Sequence, residues 1–171
     1  MLSLTESPWL RLPLVAFVAL ALQQSLVTEL RVFGAVGDLM LLLAIVSGLV
    51  AGPELGAVAA FALGLLFDLT LQTPFGLSAL AYCVTAYLVG TLQSGYLRQT
   101  WWIGPLQVLV ASAASVTLTA VLATLFGTPQ LLTTHLVTII LVVSLSNAAL
   151  SPVAAGIMRW ALVPGEPRRG T

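Results

Sequence analysis

Two aspartates, Asp38 and Asp68, are the residues whose type and surroundings point most directly to specific chemistry. Both lie in long apolar stretches, where a carboxylate taken out of water is costly unless donors or a cation compensate it. Asp38 precedes an apolar run and fits the N-cap of a helix, where free backbone N–H groups would bind it. Asp68 lies near the end of its apolar run, where the helix dipole disfavours an anion, so Asp68 requires a partner.

Three environments for Asp68 are compatible with the sequence. Counted from the Gly52-Pro53 turn, Asp38 and Asp68 lie about equally far along two antiparallel helices, so they reach a similar depth. The topology predicted from the placement of the arginines puts Arg31 on the same side of the membrane as the two aspartates. An ion pair with Arg31 is therefore the first choice. A donor on a second protein and a solvated position at a loop edge are the alternatives.

Small residues occupy every fourth position between the two aspartates. The run consists of Gly48, Gly52, Gly56, Ala60 and Gly64, and it ends on Asp68. Such spacing is typical of membrane helices that approach each other closely. The default interpretation is that the run joins two helices of this chain. The sharper hypothesis is that one glycine face stays open to receive a helix of another protein.

A second set of polar residues lies on the last two apolar segments. Measured from the turn at 127–129, Ser112 is level with Ser144 and Asn147. We expect these side chains to hydrogen-bond to one another across the two helices, as contacts that hold membrane helices together. A solute pocket is the alternative. The stripe also includes Ser115, Thr119 and Ser151.

The sequence contains no candidate residues for enzymatic or metal chemistry. His135 is the only histidine and has no acidic or cysteine residue at ligand spacing, and Cys83 is the only cysteine. Protease, esterase and phosphate-loop motifs are missing. The six basic residues form no patch for nucleic acid. The sequence therefore predicts no catalytic residue, no cofactor and no metal.

The composition identifies the elements that must position these residues. The chain is 59% hydrophobic and only 7% charged, whereas a soluble domain is about a quarter charged. Long apolar runs without period-2 alternation predict helices rather than a barrel. The fold class is all-α, a single polytopic membrane domain with six transmembrane helices at about 13–28, 36–52, 54–69, 74–94, 105–126 and 131–152.

Both ends of the chain leave alternatives open. The first segment, 13–28, is either retained or is a cleaved signal peptide. Pro152 lies inside a long apolar run and is expected to kink the sixth helix or to split off an amphipathic segment within a tail at 153–171.

Arginine placement predicts the orientation, because retained loops carry the positive charges. With six spans and a cytoplasmic N-terminus, five of the six arginines are cytoplasmic and only Arg31 is outside. All four tryptophans fall at helix ends on the cytoplasmic side, where interfacial rings belong. Both termini are therefore expected in the cytoplasm, with the bilayer as the surrounding phase.

The central stretch, 37–90, resembles the rod shape-determining protein MreD family. The resemblance rests on Asp38 opening an apolar helix, on Gly52 followed by Gly56, and on the runs Gly-Leu-Leu-Phe-Asp at 64–68 and Gly-Leu-Ser-Ala-Leu at 76–80. Chain length and span count agree as well. The sequence departs from the family pattern at Gly37, where proline is frequent, and at Ala51, where a basic residue is frequent.

The resemblance implies a non-enzymatic subunit of the bacterial cell-elongation complex in the inner membrane. Proteins of this family bind MreC and act with the MreB cytoskeleton, a RodA glycosyltransferase and a class B penicillin-binding transpeptidase in peptidoglycan synthesis. The family is also similar in design to the substrate-binding subunits of energy-coupling-factor vitamin transporters. Such a subunit is the alternative function, but its usual Ala-x-x-x-Ala face is missing, since Leu20 follows Ala16 and Gln23 follows Ala19.

On this hypothesis the second and third helices form a wall that receives the membrane helix of MreC, and the outer carboxylates set its register. The candidate interface or structural residues are Asp38, Gly52, Gly56, Gly64, Asp68, Gly76 and Arg31.

Overall fold

The computed structural model describes residues 8–29, 38–70, 75–95, 103–125 and 136–163, and these form helices and short turns without a strand. The five helices are α1 (Pro8–Glu29), α2 (Leu39–Asp68), α3 (Leu77–Gly95), α4 (Ile103–Leu125) and α5 (Leu136–Leu162). The predicted all-α class is confirmed.

Helix α2 is bent back on itself at Gly52. Gly52 has φ 83° and ψ −179°, a conformation that is essentially restricted to glycine, and Pro53 follows as the first residue of the second arm, where its missing N–H costs little. The Ser47 hydroxyl reaches the carbonyl oxygen of Gly56 at 2.8 Å. These contacts make an antiparallel hairpin of two arms, 39–51 and 53–68, and its turn defines what we call the bend end of the bundle.

Helix α3 packs against both arms through small residues. A Cβ atom built on Gly48 would meet the backbone carbonyl of Ala86, and one on Gly64 would lie 2.5 Å from the Ala79 Cα atom. Gly56 in turn abuts the backbone of Gly48 across the hairpin. Gly48, Gly56 and Gly64 therefore pack against helices of this same chain. The hypothesis of an open glycine face is wrong at these three glycines, because backbone atoms already occupy the space beside them.

Helices α1, α4 and α5 complete the bundle around the hairpin. At the bend end, the Arg11 guanidinium of α1 donates to the Trp160 carbonyl of α5 at 3.0 Å and lies 5.0 Å from the centre of the Trp160 ring. The first arm of α2 is almost wholly buried, with Met40, Ala44 and Ile45 inaccessible. The first arm of α2 therefore lies at the centre of the bundle.

Helix α5 runs through Pro152 without ending, so the predicted split at this proline is wrong. Pro152 lacks the N–H that would bind the Ala148 carbonyl, and the Ser151 hydroxyl donates to that carbonyl at 2.8 Å instead. Beyond the proline, Ala154 and Met158 are buried in the bundle. Residues 153–162 therefore belong to α5 rather than to a separate tail segment.

Three helices, α2, α4 and α5, are long and apolar enough to cross a membrane, and α1 and α3 contain the shorter apolar segments Leu10–Ser25 and Leu77–Gln93. Because α2 is a hairpin, each of its arms rises only about 20–24 Å, which is less than a hydrocarbon core of about 30 Å. The described residues thus form six helical segments of unequal length, and three of the five helices meet the length and hydropathy expected of a membrane span.

Candidate functional site: two carboxylates at one end of the bundle

Asp38 is the N-cap of α2. Its side chain accepts a hydrogen bond from the Leu41 N–H at 2.9 Å, and its own carbonyl accepts the first helical bond, from the Leu42 N–H. The interpretation of Asp38 as a helix cap is therefore confirmed. The cap position places its carboxylate at the positive end of the α2 dipole, which stabilises the charge.

Two other helices also bind the Asp38 carboxylate. Tyr82 of α3 donates its hydroxyl to Oδ2 at 2.5 Å, and Gln23 of α1 donates its amide to Oδ1 at 3.3 Å. The Gln23 amide oxygen accepts from the Met40 N–H at 3.0 Å, which satisfies a second free donor of the α2 N-terminus. Asp38 thus joins α1, α2 and α3 through a connected set of hydrogen bonds that are partly buried.

Asp68 binds the N-terminus of α3. Its carboxylate accepts from the backbone N–H groups of Gly76, Ser78 and Ala79 at 2.9, 3.2 and 3.3 Å. The side chain is only 3% exposed. The dipole of its own helix disfavours an anion at this position, but the positive end of α3 compensates it with three free donors.

The prediction that Asp68 pairs with Arg31 falls outside the described residues, since Arg31 is not among them. The structure nevertheless gives Asp68 a different set of partners from the three that the sequence offered. Neither a second protein nor a loop edge is needed, because the donors are backbone groups of the next helix in the chain. Gly76, at φ 96°, begins the turn that presents them.

Both carboxylates lie at the same end of the bundle, which we call the aspartate end. Asp68 binds residues 76–79 of α3, and Asp38 binds Tyr82 one helical turn further along. Phe67 stacks on the Tyr82 ring between them, with centroids 6.2 Å apart. The arrangement fixes the ends of three helices relative to one another.

Tyr82 is the residue that sequence reasoning missed. It lies in an apolar run, and its only signal is its position one helical turn after Ser78 and Ala79, on the face of α3 that follows the Asp68 cap. Gln23 is a polar residue of the apolar first helix, and its spacing in the sequence assigns it no partner.

The polar stripe on α4 and α5 forms the expected contact. The Asn147 amide donates to the Ser112 hydroxyl at 3.1 Å, and both side chains are fully buried. The Ser115 and Ser144 hydroxyls and the Asn147 carbonyl have no hydrogen-bond partner among the described residues. The stripe holds the two helices together. His135 lies outside the described residues, and the described residues contain no group of three metal-ligating side chains.

The comparison with protein families decides the identity of the chain. The family model of the rod shape-determining protein MreD matches residues 4–160. The chain belongs to the MreD family. The match covers the aspartate end, the bend at Gly52 and nearly the whole of α5, so the resemblance read from residues 37–90 is confirmed over a much longer stretch.

Membership of this family identifies the chain as a rod shape-determining, multi-pass protein of the bacterial inner membrane. The family belongs to the rod-shape system together with MreC and MreB. Searches of the curated proteins and of the solved structures gave no significant match. The expected likeness to energy-coupling-factor subunits therefore stays a prediction.

Proposed function

We propose that the chain is a non-enzymatic scaffold that holds MreC in the membrane and so supports peptidoglycan synthesis by the elongation complex. Through MreC, the chain acts indirectly with MreB, the RodA glycosyltransferase and the transpeptidase. The bundle crosses the bilayer with all six helical segments; the first arm of α2 lies in the core, and the second arm presents Leu55, Val58 and Phe61 to the surroundings.

The observation that carries the proposal is the internal satisfaction of both carboxylates, of which Asp68 is buried and Asp38 is partly buried. Asp38 and Asp68 bind donors of α1, α2 and α3, so their charges hold the aspartate end in one arrangement. A preformed surface loses little conformational entropy when a partner binds, and this favours a scaffold. The sequence hypothesis made the carboxylates direct contacts that set the register of the MreC helix, and we replace that role with a positioning role.

The aspartate end faces the periplasm in this proposal, and the bend end faces the cytoplasm. The contact between Arg11 and Trp160 places the start of α1 and the end of α5 together at the bend end, and Arg159 lies there as well. Positive residues and interfacial tryptophans favour the cytoplasmic side. The membrane helix of MreC leads to a periplasmic domain, so it leaves the bilayer beside the aspartate end.

The transporter alternative receives no support from α1. Ala16 and Ala19, from which the Ala-x-x-x-Ala pattern would have to start, are both buried against the chain's own core. We therefore retain the scaffold function alone.

Co-purification with MreC in mild detergent tests the proposal. Asp68→Asn removes the charge that binds the α3 N-terminus, and we expect it to reduce the MreC recovered while the protein stays in the membrane. The matched control is Glu54→Gln, which removes an exposed carboxylate from the same helix at the bend end. Equal recovery of MreC with both variants would contradict the proposed role of the aspartate end.

A further inference from the structure

A cavity of about 610 Å³ opens at the bend end between α2, α3, α4 and α5. Its size lies within the range of about 300–1,000 Å³ that is usual for small-molecule sites. One wall is apolar and includes Val46, Leu49 and Val108, whereas Gln93, Gln107 and Arg159 supply polar groups. The cavity lies at the opposite end of the bundle from the two carboxylates, so the scaffold site does not account for it.

The polar groups of this cavity have unused hydrogen-bonding capacity. The Gln107 amide nitrogen and oxygen and the Gln93 amide oxygen are buried, and none has a hydrogen-bond partner among the described residues. A buried amide without a partner is costly, and such groups are rare in folded proteins. The cavity therefore offers two acceptors and one amide donor. A ligand with hydroxyl donors and an acceptor oxygen would satisfy all three groups.

The charge of the cavity selects for an anion. Arg159 lies at its rim, and the cavity also includes Gly104 and Pro105 in the first turn of α4, where the helix dipole is positive. Among the described lining residues none is acidic. The apolar wall beside these groups fits an acyl chain better than a free solute.

We infer that this cavity binds the headgroup of an anionic glycerophospholipid, such as phosphatidylglycerol. The phosphate lies between Arg159 and the start of α4 and accepts from the Gln107 amide nitrogen. The headgroup hydroxyls donate to the amide oxygens of Gln93 and Gln107, and the acyl chains lie along the wall formed by α2. Each unpartnered polar atom of the cavity then has a partner.

The test uses the full-length protein, delipidated in detergent and then supplied with one lipid at a time. Native mass spectrometry counts retained lipids, and thermal unfolding measures the stabilisation. We expect phosphatidylglycerol to be retained and to raise the unfolding temperature more than phosphatidylcholine or phosphatidylethanolamine does. Equal stabilisation by all three lipids would overturn the inference.

Two variants test the residues assigned to the headgroup. Gln107→Leu and Arg159→Gln should each lower the apparent affinity for phosphatidylglycerol at least about tenfold, since each removes a charge-assisted hydrogen bond. Gln107→Leu should leave the lipid-free protein at least as stable as the parent, because it removes two buried atoms without partners. This second readout separates loss of binding from loss of folding.

Arg11→Gln is the charge-matched control, since Arg11 lies at the same end of the bundle but does not line the cavity. It should keep the preference for phosphatidylglycerol over phosphatidylcholine, and an equal loss of preference would show a general surface effect instead of a site. Soluble sn-glycerol 3-phosphate should neither stabilise the protein nor displace the lipid. If this compound stabilised the protein as much as the lipid does, the bound phosphate would belong to a free solute, and the lipid assignment would be refuted.

Discussion

Replacement of Gly64 by alanine tests the packing between α2 and α3 most sharply. The new Cβ atom would lie 2.5 Å from the Ala79 Cα atom, 2.8 Å from the Ala79 nitrogen and 2.9 Å from the Ser78 carbonyl oxygen. All three are backbone atoms, which cannot rotate away. The helices must therefore separate by roughly 1 Å to restore ordinary van der Waals contact.

The separation also disturbs the Asp68 cap. The hydrogen bonds from the Ser78 and Ala79 N–H groups to Asp68 are already 3.2 and 3.3 Å long, and a further displacement takes at least one of them beyond bonding distance. Overpacking costs about 1–3 kcal/mol, and a lost hydrogen bond to a charged group costs about 1.5–3 kcal/mol. Alanine recovers about 1 kcal/mol of helix propensity. The net loss is at least about 1.5 kcal/mol, which is the two lower limits added together less the gain in helix propensity.

Thermal unfolding in detergent measures this loss through the fluorescence of the four tryptophans. A loss of about 1.5 kcal/mol corresponds to a fall in Tm of about 3–6 °C for a chain of this size. The matched control is Gly156→Ala on α5, where the added Cβ meets nothing within 4 Å, so only the gain in helix propensity applies. A Gly64→Ala protein as stable as the Gly156→Ala protein would refute the close approach of α2 and α3.

Two further substitutions address the bend and the aspartate end. Gly52→Ala should destabilise the protein by about 1–3 kcal/mol, because alanine is strained at this backbone conformation even though the space beside it is open; an unchanged Tm would contradict the bend. Tyr82→Phe should cost about 1–3 kcal/mol, since it removes a donor from the partly buried Asp38 carboxylate. The exposed Tyr87→Phe is its control and should leave Tm unchanged, and equal effects of both substitutions would contradict the cross-helix bond.

Periodicity and turn residues predict much of the fold. The Gly-Pro pair at 52–53 located the hairpin turn, and the even spacing of Asp38 and Asp68 about it placed both carboxylates at one end. The level positions of Ser112 and Asn147 predicted a hydrogen bond that the structure contains. In each case the geometry follows from counting residues along a helix of known rise.

The partners of Asp68 could not be predicted in the same way. A search for a compensating charge led to Arg31, which lies outside the described residues, and it did not find the backbone N–H groups at the start of α3 that bind Asp68. Such donors belong to every helix N-terminus and have no side-chain signature. The continuity of α5 through Pro152 depends likewise on a local contact, the bond from the Ser151 hydroxyl to Ala148.

Photo-crosslinking in intact membranes tests the central claim that MreC lies beside the aspartate end. Phe75 precedes the α3 N-terminus at that end, Leu55 lies at the bend end, and both are 64% exposed. With a photoreactive phenylalanine analogue at each position in turn, the account predicts crosslinks to MreC from position 75 and none from position 55. Crosslinks to MreC from position 55 alone would contradict the account.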